Sequence, residues 1–288
     1  MASVLVTGAS RGIGLATCLA LGRAGHQVLA TMRNPEGARE LGEVAKSESL
    51  PIKISAMDVN SDESVREAIG QILAEHNALD VLVNNAGIER RGSVEELDLS
   101  EFRAVMETNY FGAIRCMQAV LPGMRTRGAG CIVNVTSVAG RISFSPLGPY
   151  AASKFALEAI SEALAQEVKA LGIRVAIVQP GIIDTDMARA ITTEEVTSVY
   201  PQGRRTADLF AASLMTPTGP SLVADQIRDI VESESQQLRY PVGPDAAPFL
   251  AWRAAMTDEE WVDWGATDDE SWYANLQRDF GLDARRSD

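Results

Sequence analysis

The stretch VLVTGASRGIG, residues 4–14, joins a short apolar run to three glycines and then to a segment with helical periodicity. Glycines after a strand let the backbone turn tightly and approach a pyrophosphate, whose charge the N-terminus of the next helix stabilises. Gly8, Gly12 and Gly14 follow the spacing G-x-x-x-G-x-G, which is neither the G-x-G-x-x-G fingerprint nor a phosphate loop ending in Lys-Ser/Thr. A purely structural turn is the alternative, but the place after the first strand favours nucleotide binding.

Short runs rich in valine and isoleucine recur along the chain, separated by longer stretches with helical periodicity. The runs are SVLV, QVLA, IKISAM, DVLV, CIVNV and RVAIV, and a seventh short strand is predicted at LRYPV. This alternation predicts βαβ units and therefore a parallel sheet with helices on both faces. The expected fold class is α/β, with a single Rossmann-type, doubly wound parallel sheet of about seven strands.

The composition of the chain changes near residue 243. All four tryptophans lie beyond this point: Trp252, Trp261, Trp264 and Trp272. From residue 245 onward, eleven acidic residues stand against four basic ones. We predict a dinucleotide-binding and catalytic domain over residues 1–243 and an acidic C-terminal extension over residues 244–288. Because exposed tryptophan usually marks an interface, the extension either packs on its own domain, covers the substrate pocket or forms an oligomer contact.

Charge and composition argue against several classes of protein. The formal net charge of −13 disfavours a nucleic-acid partner, because such binding needs a surface rich in lysine and arginine. Cys18, Cys116 and Cys131 lack metal-ligand spacing and lie in apolar stretches, which predicts reduced core cysteines and no metal site. No apolar run is long enough to span a membrane, and no cleavable leader is visible. The sequence therefore predicts a soluble cytoplasmic protein.

The second strand, within QVLATMRNP at 27–35, ends where a dinucleotide fold usually presents an acidic residue to the adenosine ribose. Thr31 occupies that place, and Arg33 follows two residues later. A carboxylate would repel a 2′-phosphate, whereas arginine offers it a charge-assisted, bidentate partner. Arg11 in the glycine turn could reach the same phosphate. The pattern favours NADP(H) over NAD(H), and two solvated surface arginines are the alternative.

A series of short motifs follows in a fixed order. They are TGASRGIG at 7–14, DV at 58–59, NNAG at 84–87, Asn109 in ETNYFGAIR, Ser137 in VNVTSVAG, YAASK at 150–154 and PGIIDT at 180–185. In this set the chain resembles the short-chain dehydrogenase/reductase family over roughly residues 3–187. The segments ATMRNP, YAASKFALE and RYPVG make it look most similar to the branch of hydroxysteroid and retinol dehydrogenases and carbonyl reductases.

The resemblance implies a nicotinamide cofactor and assigns residues to its parts. Asp58 and Val59 would border the adenine ring, and Ile183 and Thr185 would hold the nicotinamide carboxamide. Lys154 would hydrogen-bond the nicotinamide ribose. The predicted cofactor-binding residues are Gly8, Ser10, Arg11, Gly12, Ile13, Gly14, Arg33, Asp58, Val59, Asn85, Ala86, Gly87, Tyr150, Lys154, Pro180, Gly181, Ile183 and Thr185.

Asn109, Ser137, Tyr150 and Lys154 form the predicted catalytic group. Tyr150 and Lys154 are four positions apart and share one helix face, so the ammonium can stabilise the phenolate of a tyrosine acting as general acid/base. Ser137, at the end of a predicted strand, can donate to a developing oxyanion. The resemblance implies that Asn109 holds a water that passes protons to Lys154. Singly each residue has a structural explanation, but together, beside a dinucleotide turn, they predict catalysis.

Residues 186–218 follow the nicotinamide-binding turn and, by resemblance, form a flap over the substrate. The apolar residues of this flap either wall a hydrophobic pocket or pack the flap onto the domain. They are Met187, Ile191, Val199, Tyr200, Leu209, Phe210, Leu214 and Met215. Ile142, Phe144 and Leu147 lie between Ser137 and Tyr150 and are better placed to meet the substrate.

The sequence thus predicts an NADP(H)-dependent oxidoreductase that interconverts a carbonyl and an alcohol, and favours reduction of a lipophilic, steroid-, retinoid- or polyketide-like ketone or aldehyde. Sugar, polyol or 3-oxoacyl substrates are the alternatives within the family. A non-catalytic NADP(H)-binding sensor or scaffold is the alternative from another class. The resemblance also implies a homodimer or homotetramer built from the helices around residues 100–125 and 150–170.

Overall fold

Seven parallel strands form one sheet in the computed structural model, which describes residues 1–76, 78–193 and 197–285. The strands are β1 (Ser3–Thr7), β2 (Gln27–Met32), β3 (Ile52–Ala56), β4 (Val81–Asn84), β5 (Gly130–Val135), β6 (Ile173–Pro180) and β7 (Arg239–Val242). Their order in space is β3-β2-β1-β4-β5-β6-β7, and each neighbouring pair runs parallel. The predicted α/β fold with a doubly wound, seven-stranded sheet is confirmed.

Helices connect and follow these strands. They are α1 (Gly12–Arg23), α2 (Arg39–Ser47), α3 (Asp62–His76), α4 (Leu99–Met106), α5 (Gly112–Arg127), α6 (Gly148–Val168), α7 (Asp186–Thr193), α8 (Gln202–Ser213), α9 (Ser221–Glu232), α10 (Ala246–Ala254), α11 (Asp258–Ala266) and α12 (Asp269–Phe280). A π-helical turn, Glu107–Phe111, joins α4 to α5. Because the connections cross from strand to strand on both faces, the sheet lies between two helical layers.

Alternate residues of β1 point to opposite layers, as the two-residue period of a strand requires. Val4 and Val6 belong to the core beneath α1 and α9. Leu5 belongs to the core beneath α3, α5 and α6. Both layers are apolar, which explains why the strands read as continuous hydrophobic runs in the sequence.

The strand order changes direction between the two halves of the sheet. β1 pairs with β2 on one side and with β4 on the other, so the chain crosses over after β3. At such a switch point, the loops at the carboxyl ends of adjacent strands diverge and leave a crevice where ligands bind. The crevice between the ends of β1 and β4 is therefore where a site is expected.

The C-terminal extension carries an aromatic cluster, defined here as Trp252, Trp261, Trp264, Trp272 and Phe280. The Trp264 ring lies at its centre, 5.0 Å from that of Trp252, 5.7 Å from Trp261 and 5.9 Å from Trp272 between centroids. This aromatic cluster packs against Phe144 and Leu209, which precede the extension. The extension therefore contacts its own chain, while the domain division at residue 243 stays a prediction.

Cys18, Cys116 and Cys131 are buried, in agreement with the core positions predicted from the sequence. In the chain as described, no helix has the length and hydropathy that a membrane crossing requires. Within the same ranges, no group of three or more histidine, cysteine, aspartate or glutamate side chains is arranged to hold a metal ion.

Candidate active site

A cavity of about 330 Å³ lies at the carboxyl edge of the sheet, at the switch in strand order. Its lining comes from the turn between β1 and α1, from segments that follow β2 through β6, and from α6, α7, α8 and α10. Elements that are far apart in sequence thus meet at one opening, as the topology predicts. The glycine turn and the predicted catalytic tyrosine line the same cavity.

The glycine turn is packed so closely that side chains would not fit. Gly8 has φ +68°, and a Cβ there would lie 2.7 Å from the Cα of Ala86. A Cβ on Gly14 would lie 2.3 Å from the carbonyl oxygen of Gly8 and 2.5 Å from Nδ2 of Asn85. That amide is held in place, because it donates to the carbonyl oxygens of Thr7 at 3.0 Å and Gly8 at 3.1 Å.

The N-terminus of α1 opens directly onto the cavity, where Gly12 and Ile13 line the wall. This helix has no side-chain hydrogen bond at its N-cap and no acidic residue in its first turn. The first amides of a helix lack intrahelical acceptors and carry a partial positive charge, so they bind anions. The turn therefore fits the pyrophosphate of a dinucleotide.

Two arginines line the cavity, Arg33 directly after β2 and Arg11 in the glycine turn. Arg33 is exposed and, within the ranges that the structure describes, makes no ion pair or hydrogen bond. Arg11 faces Asp186 across 3.5 Å, and both side chains are largely exposed. The Thr31 hydroxyl donates to the carbonyl oxygen of Val6 at 3.1 Å within the sheet and is not part of the lining. Arg33 is thus the cation available to an anionic group at the end of β2.

Tyr150, Lys154 and Ser137 meet in the middle of the cavity. The Lys154 Nζ lies 5.5 Å from the centroid of the Tyr150 ring and donates to the carbonyl oxygen of Val135 at 2.9 Å. Ser137 follows β5, and its Oγ accepts from the backbone N–H of Ala139 at 3.1 Å. The Ser137 hydroxyl donates to the carbonyl oxygen of Pro180 at 3.4 Å, and Ser137 is close enough to Tyr150 to lower its pKa. An acid/base group and a neighbouring donor therefore stand side by side.

Asn109 does not line this cavity and is 1% exposed. Its Oδ1 accepts from the backbone N–H of Ile88 at 2.8 Å, and its Nδ2 donates to the Ile88 carbonyl oxygen and to Ser153 Oγ, each at 2.9 Å. Ser153 in turn donates to the Tyr150 carbonyl oxygen at 2.7 Å. The amide of Asn109 therefore joins the loop after β4 to α6, and its predicted part in a proton relay stays a prediction.

The model of the family described as short chain dehydrogenase matches residues 2–196, more than half of the chain. The chain belongs to this family. Its members are oxidoreductases, and the order of motifs from the glycine turn to PGIIDT agrees with that assignment.

Proteins of similar sequence and structure extend the likeness over most of the chain. A 3-ketodihydrosphingosine reductase of Bacteroides thetaiotaomicron is 36% identical over 84% of this chain and 87% of its own length. A short-chain dehydrogenase from Streptomyces avermitilis superposes with a TM-score of 0.80 at 34% identity, covering 91% of this chain and 96% of that one. A gluconate 5-dehydrogenase from Burkholderia cenocepacia, solved with NADP and tartrate, gives a TM-score of 0.69 at 28% identity and covers 79% and 86%.

In this short-chain dehydrogenase, nearly all of the predicted site residues line the cavity. Those that do are Gly8, Ser10, Arg11, Gly12, Ile13, Arg33, Asp58, Val59, Asn85, Ala86, Gly87, Ser137, Tyr150, Lys154, Pro180, Gly181, Ile183 and Thr185. Gly14 and Asn109 lie behind the wall. The structure thus brings the set together, while the role of each residue stays a prediction.

Burial governs the protonation of the central pair. Burial raises the pKa of Tyr150 to about 12, while Ser137 lowers it and the nearby charge of Glu89 raises it further. Burial lowers the pKa of Lys154 to about 8. The sequence predicts that Lys154 stabilises the phenolate; in the free protein the causes of the shift in the Tyr150 pKa are burial, Ser137 and Glu89. Tyr150 is therefore a protonated phenol at neutral pH.

Apolar side chains dominate the end of the cavity beyond Tyr150. Phe144 and Leu147 line it as predicted, whereas Ile142 is buried in a cluster with Phe249 and does not reach it. Of the apolar flap residues predicted from the sequence, Met187, Ile191, Leu209 and Phe210 line it. Val199 and Met215 are each 83% exposed, so these two do not wall a pocket. Tyr200 and Leu214 also lie outside the lining.

Sequence reasoning missed two parts of this wall. Glu89 lines the cavity in the loop after β4, where it pairs with Arg91 at 3.3 Å. Glu89 follows the NNAG motif by two residues, and this nearness to the motif could have indicated that it lines the cavity. Phe249, in α10, lines the cavity from the C-terminal extension. No local pattern marks Phe249, because its position depends on how α10 returns over the ends of β6 and β7.

Proposed function

We propose that the chain is an NADP(H)-dependent oxidoreductase that interconverts a carbonyl and an alcohol, and that it reduces a lipophilic ketone or aldehyde. One observation carries the proposal. A single cavity joins an anion-binding helix terminus and the exposed Arg33 at one end to Tyr150, Ser137 and Lys154, and then to apolar walls. These parts correspond to the pyrophosphate, the 2′-phosphate, the reacting carbonyl and the rest of the substrate.

When bound, the nicotinamide cofactor supplies the hydride for the carbonyl carbon. Tyr150 is protonated at neutral pH because burial raises its pKa to about 12, so its hydroxyl can give a proton to the carbonyl oxygen. Ser137 donates a hydrogen bond to the same oxygen as negative charge develops on it. The Lys154 ammonium attracts the phenolate that remains and hydrogen-bonds the ribose. Asn109 holds the loop after β4 against α6 and thereby keeps this group aligned.

The charge at the adenosine end supports NADP(H). Thr31 stands where an acidic residue would repel a 2′-phosphate, Arg33 follows two residues later, and Arg11 lines the same cavity from the glycine turn. The gluconate 5-dehydrogenase of similar fold was solved with NADP. An arginine guanidinium can donate two N–H groups to one phosphate. It therefore favours a cofactor that carries a 2′-phosphate over one that carries a 2′-hydroxyl.

The walls beyond Tyr150 support a lipophilic substrate. Phe144, Leu147, Phe210 and Phe249 line this end, and aromatic and aliphatic walls favour apolar ligands. A sequence relative is named for reduction of 3-ketodihydrosphingosine. The apolar lining is also in keeping with the likeness to hydroxysteroid and retinol dehydrogenases. Sugar, polyol and 3-oxoacyl compounds are the competing substrates.

The remaining parts of the proposal concern assembly and compartment. Phe111 beside α5 and Phe155 on α6 are 45% and 42% exposed, which suits a homodimer or homotetramer built through α4 to α6. The free, buried cysteines suit a reducing cytoplasm. The negative net charge argues against nucleic acid as a partner.

The proposed function predicts faster turnover with NADPH than with NADH in initial-rate assays against a panel of steroid, retinoid, aliphatic, sugar and acyl-thioester carbonyls. Arg33→Ala should raise KM for NADPH by about 10- to 100-fold, because hydrogen bonds to a charged group contribute roughly 1.5–3 kcal/mol, and leave KM for NADH unchanged. Arg39→Ala, which removes an exposed arginine of α2, is the control. A preference of the wild type for NADH would refute the role of Arg33, and tight NADPH binding without turnover on any carbonyl would favour the sensor.

The pKa of Lys154 predicts a pH dependence of cofactor use. Because burial lowers this pKa to about 8, the ammonium is present below that pH and is lost as the pH rises through it. Tyr150 keeps its proton over the same range. We therefore expect kcat/KM for NADPH, which reports the free enzyme, to fall above about pH 8. The calorimetric affinity for NADPH should fall over the same range, because the ammonium that would hold the ribose is lost. Lys154→Arg should remove this fall in affinity, and an unchanged pH profile of affinity in that variant would assign the fall to another group.

A further inference from the structure

A carboxylate from the C-terminal extension lies beneath the turn that follows β6. Asp245, immediately before α10, accepts a hydrogen bond at Oδ2 from the backbone N–H of Ile182 at 2.7 Å. Gly181, Ile182 and Ile183 line the cavity, whereas Asp245 does not. The carboxylate therefore contacts this turn from outside the cavity lining.

The approach of the carboxylate to the turn requires glycine at position 181. A Cβ on Gly181 would lie 2.1 Å from Oδ1 of Asp245, and its three nearest atoms all belong to that carboxyl group. Oδ1 is buried and has no hydrogen-bond partner within the described part of the chain. Burial accordingly raises the pKa of Asp245. A buried carboxylate with an unpartnered oxygen lowers the free energy of unfolding. Stability alone therefore does not explain why Asp245 contacts Ile182.

Capping of α10 does not supply that reason. Asp245 occupies the N-cap of α10, where an aspartate ordinarily accepts from the N–H of the second or third helical residue. The side chain makes no such bond here. It instead accepts from Ile182, which lies in another segment of the chain. The contact thus links α10 to the turn after β6.

One helical turn further on, Phe249 faces the same way as Asp245, because residues four apart share a helix face. Phe249 lines the cavity and packs edge-on against Phe280 of the extension, with ring centroids 4.6 Å apart. A single face of α10 therefore holds the turn through Asp245 and forms part of the apolar wall through Phe249.

We infer that Asp245 is a positioning residue that fixes the Gly181–Ile183 turn against the nicotinamide end of the cofactor. The inference rests on the proposed function, since it takes this turn as the nicotinamide-facing one. Asp245 acts through the backbone of Ile182 and does not touch the cofactor itself. Its loss should therefore disturb the nicotinamide end of the ligand and leave the adenosine end unaffected.

The test compares NADPH with 2′,5′-ADP, which carries the adenosine and 2′-phosphate but no nicotinamide. In Asp245→Ala we expect calorimetric affinity for NADPH and the single-turnover rate of NADPH oxidation to fall by about 10- to 100-fold, because small misplacements of reacting groups cost rate at this scale. Affinity for 2′,5′-ADP should stay within about twofold, well under the tenfold that 1.4 kcal/mol represents. Asp245→Asn should recover most of both losses, because its amide oxygen can accept from Ile182. Asp258→Ala, which removes a carboxylate of the same extension that is 91% exposed, is the matched control.

A second variant keeps the inference testable if Asp245→Ala does not fold. Gly181→Ala retains the carboxylate but directs a methyl group at it. It should therefore also weaken the binding of NADPH while leaving the affinity for 2′,5′-ADP unchanged. If both single variants fold, adding Gly181→Ala to the Asp245→Ala variant should reduce the affinity for NADPH by less than it does in the wild type, because the side chain that the methyl group meets is shorter.

Equal losses for both ligands, or no loss for either, would overturn the positioning role, and so would failure of Asp245→Asn to recover affinity. Failure of the proposed function has a different signature. The wild type itself would then fail to oxidise NADPH with any carbonyl, whether or not it binds NADPH.

Discussion

Replacing Tyr150 with phenylalanine is expected to lower kcat for carbonyl reduction by about 10²- to 10⁴-fold, the usual contribution of a positioned general acid. The substitution removes the hydroxyl whose pKa burial raises to about 12 and leaves the ring in place. Affinity for NADPH should change little, since the glycine turn and Arg33 are untouched. Steady-state rates together with calorimetric titration of NADPH measure the two effects separately.

The matched control for this prediction is Tyr240→Phe. Tyr240 is a buried tyrosine of β7 whose hydroxyl donates to Ser235 Oγ at 3.0 Å, away from the cavity lining. Its loss should leave kcat within about twofold, because a single neutral hydrogen bond contributes roughly 0.5–1.5 kcal/mol to stability and nothing to the chemical step. A Tyr150→Phe enzyme that retains the wild-type rate would eliminate Tyr150 as the proton donor.

The second large effect is expected from Gly14→Ala. The added methyl would lie 2.3 Å from the Gly8 carbonyl oxygen and 2.5 Å from the Asn85 amide, so the turn must move. Two hydrogen bonds hold that amide to the end of β1, which leaves it little room to give way. We expect the free energy of unfolding to fall by about 1–3 kcal/mol, as for other overpacked sites. A shifted turn should also lower kcat/KM for NADPH by about 100-fold.

Gly70→Ala separates this effect from a general cost of alanine. Gly70 lies in α3, and a Cβ there would meet nothing within 4 Å. Because alanine is the better helix former by roughly 0.8–1.0 kcal/mol, this variant should be slightly stabilised and fully active. Thermal unfolding and NADPH kinetics of both variants provide the comparison. Normal cofactor kinetics in Gly14→Ala would show that the close packing of the turn is not required.

The sheet was predictable because its central strands are buried on both faces. The central strands are short apolar runs rich in valine, leucine and isoleucine, and the segments between them have helical periodicity, so few topologies fit the pattern. The short edge strand β7, Arg239–Val242, was also predicted, at LRYPV. The glycine turn and the Tyr150–Lys154 pair were predictable for a similar reason, because each depends on local spacing.

Long-range packing was harder to predict from the sequence. Ile142 and Phe144 are neighbours in one apolar loop, yet Ile142 joins the core while Phe144 lines the cavity. Phe249 reaches the cavity because α10 folds back over the sheet edge, which its own sequence does not encode. The pKa of Tyr150 depends first on burial and then on Ser137 and Glu89, and burial cannot be read from spacing.

The position of all four tryptophans in the aromatic cluster gives the protein a selective optical signal. Indole emission must come from the C-terminal extension alone, since no other segment carries tryptophan. Fluorescence-detected denaturation therefore follows this extension, whereas far-ultraviolet circular dichroism follows the backbone of the whole chain. Coincident curves would indicate one cooperative unit, and an earlier fluorescence transition would mean that the extension melts before the sheet.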